Sequence, residues 1–145
     1  MAKILIIDTC GGATVVCLSC NQDVDQICIP FDKSNKDIVL NGSVLEILKR
    51  GSIGFNDLDA YAVVVGTGSW TGARIGVTAI KAYHLVRQKP IITIQYTAQH
   101  VEPEQRLVDI IILARQKYRD SEFTAVENLQ PYYDGDFKIT PKSKT

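Results

Sequence analysis

Two stretches of this chain hold residues whose types and spacing could do chemistry. The first is Asp8-Thr9-Cys10-Gly11-Gly12-Ala13-Thr14, an acid closing an apolar run and followed by a Thr/Gly turn. Such a turn exposes backbone N–H groups to a phosphate, and the acid can hold hydrated Mg2+. The plainer reading is that the glycines only make a hairpin. The second stretch is Gly66-Thr67-Gly68-Ser69-Trp70-Thr71-Gly72-Ala73-Arg74-Ile75-Gly76. It follows a strand and opens a helix, where an anion can meet free N–H groups. It is not the dinucleotide fingerprint, because Thr71 stands where the third glycine belongs. Nor is it a P-loop, because no Lys-Ser/Thr follows at the required offset. Asp8, Thr9, Gly66, Gly68 and Arg74 are the expected contacts for a phosphate, shared with a partner that completes the site.

Other chemistries fit less well. Two-metal phosphodiester cleavage needs several carboxylates around ions roughly 4 Å apart. Asp8 and Glu46 could supply two, but the fourth strand ends in Gly66, which has no side-chain ligand. Cys17 and Cys20 form a C-x-x-C inside a strand-like run, so their thiols point to opposite faces. With Cys10 and Cys28 they read as buried structural thiols, and no metal site is expected. No Ser-His-Asp constellation suggests a peptidase.

These residues must be positioned by a small set of elements. At 145 residues and 46% hydrophobic, the chain has the makings of a real core. Its formal net charge is zero, which argues against a stand-alone nucleic-acid binder. The basic tail with Lys138, Lys142 and Lys144 reads as solvated. No apolar run is long enough to span a bilayer, and the start lacks a signal-peptide layout, so a cytoplasmic protein is expected.

Residues 3–8, 13–20 and 24–31 predict three strands in a meander, the third near an edge because of Pro30. Residues 36–50 predict a helix with Gly51 at its C-terminal cap. A central strand follows over 60–65, a helix over 71–87, a strand over 91–94 and a helix over 104–119, with an irregular tail from Glu122. Three antiparallel strands followed by two crossover units give an α/β fold with a mixed five-stranded sheet. That is the RNase H-like arrangement, also found in each lobe of actin-like ATPases. The expected division is an actin-like N-terminal lobe over 1–98 and a reduced second lobe, a helix and tail, over 99–145.

The helix opened by the glycine-rich turn is unusual. Gly72, Gly76, Ala79, Ala82 and Tyr83 fall near one stripe, while Val77, Ile80 and Leu85 lie toward other sides. Glycine inside a helix costs about 1 kcal/mol relative to alanine. Small residues at this spacing admit another backbone, and a helix apolar around most of its circumference needs cover on more than one face. Packing against the first helix is the plain account; a helix of a partner is the sharper one.

These residues carry a family resemblance. Ile4-Leu5-Ile6-Ile7-Asp8-Thr9-Cys10 resembles the opening I-L-x-I-D-T-S of bacterial TsaB (YeaZ) proteins. Gly66 to Gly76 is similar to their G-P-G-S-F-T-G-L-R-I-G signature, Asp57-Leu58-Asp59 fits before the fourth strand, and Leu129-Gln130-Pro131-Tyr132-Tyr133 is similar to their closing P-x-Y segment. The departures are Thr67 for Pro, Trp70 for Phe, Cys10 for Ser, and Asp37-Ile38-Val39 near where the family has H-S-E.

The resemblance implies a non-catalytic scaffold that docks TsaD, the catalytic subunit, with the ATPase TsaE joining them. That complex makes N6-threonylcarbamoyladenosine at position 37 of tRNAs reading ANN codons. No cofactor of its own is expected, with ATP and Mg2+ at most shared at the partner interface. Contact with tRNA would come only through the complex, and no membrane is involved. The expected interface is Leu40, Val44, Ile47, Gly72, Ile75, Gly76, Ala79, Ala82 and Tyr83, with a homodimer through the same helices when TsaD is absent. A tryptophan at Gly76 is expected to block docking while leaving the monomer folded. The alternative is a nucleotide-binding enzyme of the actin-like phosphotransferase group.

Overall fold

The computed structural model describes residues 2–31, 35–66, 70–98 and 100–131. Eight main elements follow in chain order: β1 (Lys3–Asp8), β2 (Ala13–Cys20), β3 (Asp23–Pro30), α1 (Lys36–Arg50), β4 (Ala60–Val65), α2 (Trp70–Val86), β5 (Ile91–Gln95) and α3 (Pro103–Arg119). The sheet order is β3-β2-β1-β4-β5. β1, β2 and β3 pair antiparallel, Ile6 opposite Cys17 and Cys17 opposite Gln26. β4 lies parallel to both β1 and β5, with Ile6 opposite Ala62 and Val63 opposite Thr93. The five strands and three helices thus form the α/β, actin-like arrangement that the element order predicts.

The strand period of two divides the core between the faces of the sheet. Leu5, Ile7, Tyr61, Val63, Val65 and Ile91 meet Leu40, Val44, Ile47 and Leu48 of α1 and Val77 and Ile80 of α2. Ile4, Ile6, Ala60, Ala62, Val64, Ile92 and Ile94 meet Ile110, Ile111 and Ala114 of α3. Because β1 and β4 are buried on both faces, they read as unbroken apolar runs.

Three expectations gain detail at this level. The division at residue 98 does not separate two cores, since α3 covers the second face of the same sheet. Over residues 122–131 the segment holds a short 3-10 turn, Val126–Asn128, and is packed. The Thr124 N–H donates to the Ile91 carbonyl at 2.7 Å, Thr93 donates to the Thr124 hydroxyl at 2.8 Å, and Leu129 is fully buried beside β4 and β5. Gly51 does stand at the α1 C-cap, but it keeps a right-handed backbone, and Ser52 takes the left-handed turn at φ +57°. The basic tail and the end of the P-x-Y segment, from residue 132 on, lie outside the described residues.

Candidate functional site

α1 and α2 run over the same face of the sheet but do not close against each other along their whole length. At one end the Tyr83 hydroxyl donates to Asn41 Oδ1 at 2.6 Å and its ring packs on Phe55, with centroids 5.0 Å apart. Burial pushes the Tyr83 phenol up to about 12, so this donor stays protonated. Beyond that tie the helices part into a groove of about 530 Å3, lined by Asp37, Leu40, Asn41, Arg74, Ile75, Thr78, Ala79 and Ala82. Its lips carry opposite charges, Asp37 on α1 and Arg74 on α2.

The ground beside the groove is apolar. On α1, Ile38 and Leu45 follow the helical spacing of Asn41 and are 67% and 62% exposed. On α2, Leu85 and Val86 continue the stripe of Thr78 and Ala82, and Leu85 is 86% exposed. Scattered exposed apolar residues are ordinary; here four of them stand on the two helices that form the groove.

The nine expected interface residues separate into two sets. Ile75, Ala79 and Tyr83 are half-buried and Ala82 is exposed, so these reach the surface. Leu40 lies at the groove floor, only 1% exposed. Val44 and Ile47 are fully buried under α1 and touch only the chain's own core. Gly72 and Gly76 are also buried. A Cβ added to Gly76 would stand 2.9 Å from Thr9 Oγ1 and 3.3 Å from Val63 Cγ2. The close neighbour that Gly76 admits is therefore the side-chain surface of this chain's own sheet. Val44, Ile47, Gly72 and Gly76 thus lie inside the chain's own fold rather than on its surface, and tryptophan at Gly76 is a substitution against the fold.

Of the five expected phosphate contacts, the four described ones do not line one cavity. Arg74 lines the α1–α2 groove, whereas Asp8 lines a separate cavity of about 430 Å3 beside α3. Thr9 is 1% exposed and its hydroxyl donates to the Gly72 carbonyl, tying β1 to the start of α2. Gly66 closes β4 at φ +126° against the Tyr96 carbonyl. Gly68 lies outside the described residues. Asp8 is bound by a residue that the sequence did not reveal, Arg106 of α3. Its Nε donates to Oδ2 at 2.7 Å and its Nη2 to Oδ1 at 3.1 Å. The two positions lie 98 residues apart, and no local pattern links them.

The thiols follow the expectation in part. Cys10 and Cys17 are buried, and burial pushes both up to about 12, with the nearby Asp8 charge adding to the rise. Cys20, the last residue of β2, is half-buried, and Cys28 is exposed because β3 is an edge strand with only one covered face. Among the described residues no group of three or more His, Cys, Asp or Glu gathers to hold a metal. Nor is any helix among them long and apolar enough to cross a membrane.

Comparison with known proteins adds to this geometry. Residues 35–112, more than half of the chain, match the family model described as TsaD: tRNA N6-adenosine threonylcarbamoyltransferase. A protein named tRNA N6-adenosine threonylcarbamoyltransferase from Limosilactobacillus reuteri (strain DSM 20016) is 38% identical over 56 residues, 39% of this chain and 16% of that protein. One of the same name from Synechocystis sp. is 28% identical over 116 residues, 70% of this chain and 33% of that protein. The chain thus spans between 16% and 33% of the length of these relatives.

Among solved structures it is similar to YeaZ from Pseudomonas aeruginosa, with a TM-score of 0.63 and 22% identity over 84% of this chain and 51% of that one. It is also similar to an uncharacterized protein with similarity to peptidase YEAZ from Pseudomonas aeruginosa, with a TM-score of 0.60 and 24% identity over 82% of this chain and 49% of that one. The family match over more than half of the chain leads to one conclusion: the chain belongs to the family described as TsaD: tRNA N6-adenosine threonylcarbamoyltransferase.

Proposed function

We propose that this chain is a non-catalytic scaffold subunit that docks TsaD in the complex forming N6-threonylcarbamoyladenosine at position 37 of tRNAs reading ANN codons. The observation that carries this reading is the open α1–α2 groove, with Ile38, Leu45, Leu85 and Val86 exposed on the same two helices. A helix laid into the groove would cover the apolar side chains that the fold leaves in water. Asp37 and Arg74 on its lips would set the register of the incoming helix. A standard interface hides about 800 Å2 per partner, which two helices and their flanks can supply. The docking residues on this reading are Ile75, Ala79, Ala82 and Tyr83 with Leu40 beneath them.

The same surface would serve a second copy of the chain when TsaD is absent, with TsaE joining only the assembled complex and tRNA reaching the chain through that complex. The cytoplasm, where tRNA is modified, is the compartment this role requires. The rival reading, a nucleotide-handling enzyme of the actin-like group, has less support, since the end of β1 presents an ion pair rather than a free acid. Mixing the chain with TsaD from the same cell and weighing the product by light scattering tests the proposal. A stable one-to-one species is expected; two unassociated proteins at micromolar concentration would reject it.

A further inference from the structure

The acid at the end of β1 is the residue that would hold hydrated Mg2+ for a nucleotide shared with a partner, and its surroundings do not fit that task. Both oxygens of Asp8 are engaged. Oδ2 accepts Arg106 Nε at 2.7 Å, while Oδ1 accepts Arg106 Nη2 and the Cys10 N–H, each at 3.1 Å. The pair is well shielded, the side chains of Arg106 and Asp8 being 19% and 5% exposed. A two-pronged guanidinium–carboxylate pair is stronger and more directional than a single contact.

Neighbouring groups hold the guanidinium in place. Its Cζ lies 4.7 Å from the centre of the Tyr96 ring, and the Tyr96 hydroxyl is itself anchored on Asp109 at 2.7 Å. Gly11 in the β1–β2 turn leaves room for it, since a Cβ there would come within 3.3 Å of Nε. Burial alone would pull the Arg106 guanidinium down, but the hydrogen bonds and charge of Asp8 outweigh it and hold it above its ordinary value. The cation is permanent at any physiological pH.

We infer that Arg106 is an internal counter-ion standing where a metal ion would sit, so that the cavity beside Asp8 takes no metal–nucleotide and the pair instead clamps α3 to β1. The inference goes beyond the docking proposal and does not depend on it. A metal approaching Asp8 would have to displace a two-pronged partner that is already charged, shielded and stacked. Removing one member leaves the other buried and unpaired, which is far more costly than replacing both with apolar groups of similar volume.

The test is thermal unfolding of the full chain, alone and with Mg2+, ATP or both, for wild type, Asp8→Asn, Arg106→Met and the Asp8→Leu/Arg106→Met double variant. The wild-type midpoint is expected to stay put in every mixture. Each single variant should lower it by several degrees, and the double variant by clearly less than the sum. A metal–nucleotide rise in the wild type that disappears in Asp8→Asn would overturn the inference, as would an Asp8→Asn midpoint equal to wild type. A rise that survives in Asp8→Asn would overturn it too, because the other residues of the same cavity would then be holding the metal–nucleotide. The wild-type arm stands even if a variant fails to fold.

Discussion

Gly76 and Thr9 are packed so closely that a methyl group on the glycine would stand 2.9 Å from the threonine hydroxyl oxygen. That hydroxyl cannot swing away freely, because it donates to the Gly72 carbonyl one turn earlier on α2. Here β1 and α2 touch backbone to side chain, and the small-residue stripe of α2 is the condition for that contact. Gly76→Ala should therefore destabilise the monomer by about 1–3 kcal/mol, the usual penalty for overpacking. Urea unfolding of the purified variant measures it. A midpoint equal to wild type would mean that α2 sits farther from β1 than described.

Leu129 gives a second prediction. It is fully buried although it lies after the last main element of the fold. Leu129→Ala should cost about 2–5 kcal/mol, as for other buried leucines. Truncation just before Glu122 should do at least as much damage, because it also removes the Thr124 bonds that cover the edge of β5. Equilibrium unfolding of both variants checks this.

The buried thiols make stability fall in alkali. Cys10 and Cys17 rise from 9.0 to about 12 on folding, so between those values the native chain keeps protons that the unfolded chain has lost. Stability is whole below about pH 9 and declines as pH rises toward 12. Unfolding midpoints from pH 7 to 11 should drop above pH 9, and Cys17→Ala, though less stable at neutral pH, should show a shallower drop. A slope that Cys17→Ala leaves unchanged would contradict this.

Reactivity separates the four cysteines. Cys28 is exposed on β3 while Cys10 and Cys17 are buried. A thiol reagent at pH 8 should modify Cys28 first, with Cys20 slower, and leave the other two untouched until the chain unfolds. Cys28→Ser should delete the fast phase. Mass spectrometry of the labelled peptides reads the order directly.

Much of the fold was legible because its signals are local. The Lys3–Asp8 run, the Lys36–Arg50 periodicity and the Ala60–Val65 block fixed three elements at the residues where they occur. The site was legible only halfway. The small-residue stripe of α2 correctly announced a close neighbour, but a spacing of glycines does not say whether that neighbour is a strand of the same chain or a foreign helix. Ala79 and Ala82 lie on the outer part of the stripe, and Gly72 and Gly76 on the inner. Arg106 left no trace because the ion pair is made only once α3 lies over β1, and its helix reads as ordinarily amphipathic without it. The burial of Leu129 was hidden for the same reason, as one leucine in a polar segment carries no periodicity.

The most direct test of docking through the groove is the affinity of the catalytic partner for an Ala82→Trp variant. Ala82 is exposed and lines the groove without belonging to the core, so the indole should fill the space between α1 and α2 and leave the unfolding midpoint near wild type. Titration calorimetry against TsaD should then show binding weakened by about tenfold or more, at least 1.4 kcal/mol. Wild-type affinity in a folded Ala82→Trp chain would contradict the account.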